Sequence, residues 1–169
     1  MKTLATMLVI SLLIGCDSRA TGPVPIGPDD ACASCRMLIS ERRYAAEMLD
    51  TNGTIYKFDD IACMMRFAQV HGKNSPSVRF YVTDYATGRD WMDARHASFA
   101  RLRNSSSSPM ASGLAAFRNA SDAARVMGAG AGSTHLPSFS DLWRNSTDKE
   151  DAVPTVRPVG RVSEVSHGH

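Results

Sequence analysis

The chain has 169 residues, with 19 Lys and Arg against 17 Asp and Glu and a formal net charge of +2. Acidic and basic residues are interspersed, and no basic stripe or aromatic ladder argues for nucleic acid, so that class is excluded. A chain of this length supports one domain with a real core, and not comfortably two.

At the N-terminus, Met1-Lys2 and the apolar run Leu4 to Ile14 have the form of a bacterial export signal. The run is too short to span a membrane as a helix, which takes about 20 apolar residues. It ends in Leu13-Ile14-Gly15-Cys16, which resembles the lipobox of bacterial lipoproteins. The resemblance implies that residues 1–15 are a signal peptide, cleaved before a lipidated Cys16. Asp17 resembles the signal that keeps lipoproteins at the inner membrane, so the expected location is the periplasmic side of a bacterial membrane, tethered and not spanning. Residues 16–29, punctuated by proline and glycine, read as a flexible tether, and residues 30–144 as the folded domain. Residues 145–169 carry few bulky apolar side chains and read as a disordered tail.

The domain opens on Cys32-Ala33-Ser34-Cys35-Arg36-Met37, the densest group of soft donors in the chain. Thiolate and thioether select Cu(I), and thiolates also suit zinc. A C-x-x-C pair can close on one ion or on itself as a disulfide. With Cys16 lipidated, Cys32, Cys35 and Cys63 remain, an odd count that favours metal or redox work over simple stapling.

Tyr44 to Leu49 and Ile55 to Phe58 flank Asn52-Gly53 and predict a β-hairpin. Asp59 or Asp60 then caps a helix running to Val70, which Gly72 stops. That places Cys63 in the first helical turn, where the macrodipole lowers a thiol pKa, with Met64 beside it. Met65 fits the apolar core face of the same helix. Strand composition recurs at Val78 to Thr83, with Gly88 in the turn before Trp91, and again at Phe99 to Arg103 and Leu114 to Phe117. Ser121 caps a helix through Met127 that Gly128, Gly130 and Gly132 end, and a last helix covers Ser138 to Arg144. The fold class is α+β, small antiparallel sheets with packed helices, and a methionine before each half (Met37, Met110) suggests two duplicated ββα-like units.

Met110 follows Pro109 in a polar loop, where core packing does not explain it, and is a candidate thioether ligand. Of the histidines, His71 suits a helix C-terminus, His135 has no helpful spacing, and His167 and His169 fall in the tail. His96 is the best imidazole candidate, because Asp93 stands one helical turn earlier and can orient its ring. Asp59-Asp60 reads as capping and not as a catalytic carboxylate pair, and no nucleophile elbow or phosphate loop is present.

In order, the lipobox, C-x-x-C-x-M, the segment Gly53 to Met64 with Tyr-x-Phe-Asp-Asp-Ile-x-Cys-Met, Trp91, and Pro109-Met110-x-Ser112-Gly113 with Ala116-Phe117 resemble the NosL-type accessory lipoproteins of nitrous oxide reductase. The resemblance implies a periplasmic Cu(I) chaperone, not an enzyme. Its implied partner is apo nitrous oxide reductase or the machinery that assembles its copper centre. The implied metal positions are Cys32, Cys35 and Met37, the pair Cys63 and Met64, and Met110. The family has glycine where this chain has Arg36, and arginine resists the left-handed turn that glycine permits, so Arg36 is expected to reorient Met37. Two other readings remain open: a thiol–disulfide oxidoreductase using Cys32 and Cys35, and a structural Zn(II) module using Cys32, Cys35 and Cys63 with one histidine.

Overall fold

The Asn52-Gly53 hairpin forms, pairing strands β1 (Ala46–Leu49) and β2 (Ile55–Phe58) antiparallel, with Ala46 opposite Phe58 and Leu49 opposite Ile55. Gly53 takes the left-handed conformation the turn requires (φ 85°), and its N–H bonds the Asp50 carbonyl at 3.0 Å. The first strand starts at Ala46 and not Tyr44, because Arg42–Tyr44 coil into a 3₁₀ turn that buries the Tyr44 ring. The structure is a computed structural model that describes residues 20–73, 75–128 and 137–147. The signal segment, Cys16, Asp17, Gly130, Gly132, His135 and residues 148–169 of the tail lie outside the described residues, and residues 145–147, expected in the tail, instead end the last helix.

Helix α1 (Ile61–Val70) follows β2 directly. Asp60 is its N-cap, accepting the Ala62 N–H at 2.8 Å, and Gly72 (φ 60°) turns the chain away at the other end. Ile61, Met64, Met65 and Ala68 face the core, as the helical spacing predicts. Strand β3 (Arg79–Thr83) pairs with β1, and β4 (Trp91–Asp93) pairs with β3, giving a four-stranded sheet in the order β2-β1-β3-β4. Strands β5 (Ser98–Arg101) and β6 (Leu114–Phe117) form a separate antiparallel pair. A parallel bridge from Asp84 to Ala116 and a chain of rings, Tyr44 to Tyr85 (5.4 Å) to Phe117 (5.5 Å), join the two sheets.

Helix α2 (Ala120–Met127) is capped by Asn119, whose side-chain oxygen accepts the Asp122 N–H at 2.9 Å; Ser121, the cap expected from sequence, donates its hydroxyl to that same oxygen. Helix α3 (Phe139–Thr147) lays Phe139 and Trp143 on Phe80 at 5.2 and 5.6 Å. The architecture is α+β, with hairpin-plus-helix units β1-β2-α1 and β5-β6-α2 separated by β3 and β4. No helix among the described residues is long and apolar enough to cross a membrane.

The segment expected as a flexible tether is packed from Thr21 onward. Ile26 is buried, the Val24 N–H bonds the Glu47 carboxylate at 2.9 Å, and Lys57 holds both the Pro25 carbonyl (2.9 Å) and Asp30 (2.6 Å). One apolar anchor and these polar partners suffice to fold a proline-rich strap that composition alone reads as loose. The folded body therefore begins before residue 30.

Candidate metal centre

The two thiols of the C-x-x-C motif sit in a knuckle built by its own backbone. The Cys32 N–H bonds the Met37 carbonyl at 2.8 Å, the Arg36 N–H bonds the Cys32 carbonyl at 3.0 Å, and Ala31 bridges Leu38. A further bond, Ala33 N–H to the Lys57 carbonyl at 2.8 Å, stitches the knuckle to β2. Just past β2 the chain supplies Asp59, then the cap Asp60, then Cys63 on α1. Cys32, Cys35, Cys63 and Asp59 thereby converge, with one donor atom from each lying within 4.8 Å of the others.

Cys32, Cys63 and Asp59 are fully buried, whereas Cys35 is partly exposed; all three cysteines are free thiols. The Cys35 thiol donates to Asp59 Oδ2 at 3.2 Å, and Asp59 Oδ1 has no hydrogen-bond partner among the described residues. The Cys63 thiol donates to Cys32, which pulls the Cys32 pKa down to about 6, helped by the Cys35 N–H at 3.5 Å from its sulfur. Cys63 is driven upward by the same contact, although Arg66 Nη2 lies 3.5 Å from its sulfur. Burial pushes Cys35 up to about 11. The depressed thiol is therefore Cys32. The helix dipole favours a thiolate at Cys63, as the sequence predicts, but a sulfur acceptor in direct contact outweighs it.

Cys35 also opens onto a groove of about 1000 Å³ that it shares with Met110, Arg66, Phe67 and His71. Met110 reaches the groove because Asp60 ties its loop to the helix start: Ser112 Oγ donates to both carboxylate oxygens, at 2.8 and 2.9 Å. Ala111 takes a left-handed conformation (φ 52°), and Ser108 receives the Gly113 N–H at 2.9 Å to close the turn.

The structure thus brings Cys32, Cys35 and Cys63 together and sets Met110 beside Cys35. Met64 is fully buried in the hydrophobic core. Met37 is 50% exposed and does not line the groove. His96 lies after β4 with its side chain 84% exposed, near Asp93 at 3.8 Å, and does not join the thiols. Asp59 is the residue sequence reasoning missed. Its signal is the doubling Asp59-Asp60, since one cap needs one carboxylate.

Arg36 adopts the left-handed conformation after all, with φ 68°. The turn is kept and the strain accepted, because the knuckle's backbone bonds over-determine it. Its side chain is exposed, so glycine here removes strain at little cost in contacts. Arg36→Gly is expected to stabilise the fold by about 0.5–1 kcal/mol, raising Tm by roughly 2–5 °C in a thermal melt. A lower Tm would mean that the arginine side chain makes a stabilising contact.

The sequence profile of the NosL family matches residues 23–146. The crystal structure of the copper chaperone NosL from Shewanella denitrificans resembles the chain in fold, with a TM-score of 0.58 and 20% sequence identity, covering 72% of this chain and 96% of that one. A comparison with curated proteins found no match.

Proposed function

The chain belongs to the NosL family, and from that premise we propose that it is a Cu(I)-carrying chaperone that turns over no substrate. The observation that carries this reading is the position of Cys35, which belongs both to the buried thiol cluster and, with Met110, to the open groove. A soft ion entering the groove meets one thiol and one thioether first, and the two buried thiols lie behind. Cu(I) holds few sulfur ligands and exchanges them one at a time, so an acceptor's own sulfurs can replace Met110 and Cys35 from the open side. The same geometry disfavours a disulfide oxidoreductase. Its lowest-pKa thiol, Cys32, is fully buried and in no position to attack an external disulfide.

The resemblance of Leu13 to Cys16 to a lipobox supports anchoring by a lipid on Cys16 at the periplasmic face of a bacterial membrane, with Asp17 favouring the inner one. The acceptor on this reading is apo nitrous oxide reductase or its copper-assembly machinery.

Titrating Cu(I) into the reduced protein against a chromophoric chelator tests the reading. Changing even an outer-sphere partner commonly costs a metal site about 10–100-fold, so Cys35→Ser is expected to lose at least that and Met110→Leu about tenfold. Parent protein that does not compete for Cu(I), or a Cys35→Ser variant indistinguishable from it, would refute the proposal.

A further inference from the structure

We infer that residues 21–30 form a latch over the outer face of the four-stranded sheet, closed while Glu47 holds a proton and loosened when Glu47 ionises. This goes beyond copper carriage and does not depend on it. The first ground is the setting of Glu47. It is fully buried on β1; one carboxylate oxygen takes the Val24 N–H at 2.9 Å, and the other, Oε1, has no hydrogen-bond partner among the described residues. A buried carboxylate with a single neutral donor is poorly compensated when charged, and it sheds that cost by holding a proton or by reaching water. Burial accordingly pushes its pKa from 4.5 up to about 7.

The second ground is where the neighbouring cations have gone. Lys57 stands directly opposite Glu47 in the β1–β2 register, the place of a cross-strand ion pair. Its ammonium goes instead to the strap, to the Pro25 carbonyl at 2.9 Å and to Asp30 at 2.6 Å. Tyr81 lies opposite Glu47 on β3, with Asp93 opposite Tyr81 on β4, and neither supplies a positive charge. Arg79, two residues before Tyr81 on that strand, is also given to the strap, at the Thr21 carbonyl (2.9 Å). Lys57 thus offsets the Glu47 charge only through space, and the like charge of Asp30 opposes it.

Two states follow. With Glu47 protonated, the strap lies closed on these bonds and Ile26 is buried. With Glu47 ionised, lifting the strap admits water and frees Lys57 to pair with Glu47 across the strands. Acid therefore holds the latch shut. The cost of closing is absent below pH 4.5, where Glu47 is protonated in both states; it grows up to about pH 7 and is level above. The strap runs directly into the knuckle, since the Ile39 N–H bonds the Asp30 carbonyl at 2.9 Å. On the proposed reading of Cys16 as a lipid anchor, opening releases residues 21–29, about 30 Å of added reach at full extension.

Amide hydrogen exchange of Val24 in the reduced protein, followed by NMR and divided by the intrinsic rate at each pH, tests the latch. With the ordinary pKa restored in the open state, Val24 protection is expected to fall about 70-fold between pH 5 and 8. The Phe67 and Ala68 amides inside α1 should change less than about threefold, and the Glu47 carboxyl carbon should titrate near pH 7. Glu47→Gln keeps an oxygen for the Val24 N–H without the charge, and should hold Val24 protection level within about threefold over the same range. Should that variant not fold, the parent's Val24 profile and its Glu47 titration decide. Level Val24 protection in the parent, a fall shared equally by α1, or a fall that persists in a folded Glu47→Gln would overturn the inference.

Discussion

Asp60→Ala is expected to destabilise the protein by about 2–4 kcal/mol, enough to lower Tm by about 10 °C. Two losses combine. The helix cap on the Ala62 N–H accounts for about 1 kcal/mol, and the pair of Ser112 hydroxyl contacts, made to a charged acceptor, for about 1.5–3 kcal/mol. Burial works the other way, raising the Asp60 pKa and so taxing the ionised form at neutral pH. Asp60→Asn keeps a capping oxygen without that tax and is expected to cost less than about 1 kcal/mol. Urea unfolding of the two variants separates cap and suture from charge. The loop carrying Met110 is released with the suture, so Asp60→Ala should also weaken Cu(I) binding. The double variant Asp60→Ala/Met110→Leu should then bind no worse than the weaker single, since on the proposed reading both remove the same ligand. Full additivity would mean that Met110 is held in place by something other than Asp60.

That dependence shows why the site is only partly legible in the sequence. Local signals suffice for the hairpin at Asn52-Gly53, for the cap at Asp60 and for the stop at Gly72, because each is decided within a few residues. They also suffice to bring Cys63 near a helix start. What the sequence hides is set by contacts between distant residues. The cap at Asn119 is a local exception, displacing Ser121 because its side chain reaches Asp122 from one residue before the helix. The strap around Ile26 folds against Glu47 and Lys57, more than twenty residues away. The acid–base character of Cys63 is set by Cys32 on another element and not by its own helix. Asp59 is concealed for a simpler reason: its neighbour serves as the cap, and the only local signal of a second role is that the acid is doubled.

Cu(I) affinity is expected to rise about 100-fold per pH unit from near pH 7 toward pH 9 if all three thiols ligate together. The sign follows from which thiols hold protons. Cys32, lowered to about 6, is already a thiolate at neutral pH and contributes no further gain as pH rises. Cys35, held up to about 11 by burial, and Cys63, raised by its hydrogen bond to Cys32, must each shed a proton when the metal binds. Two protons released give a slope of about two in the logarithm of affinity against pH, steepening by about one below pH 6, where Cys32 is protonated too. Chelator competition at several pH values, corrected for the chelator's own titration, measures it. Cys63→Ser removes one proton-releasing ligand and should lower the neutral-range slope to about one. A flat profile would assign Cu(I) to Cys32 with thioethers alone. That result would leave Cys35 and Cys63 protonated in the loaded protein and remove the route proposed above, in which Cys35 hands the ion outward through the groove.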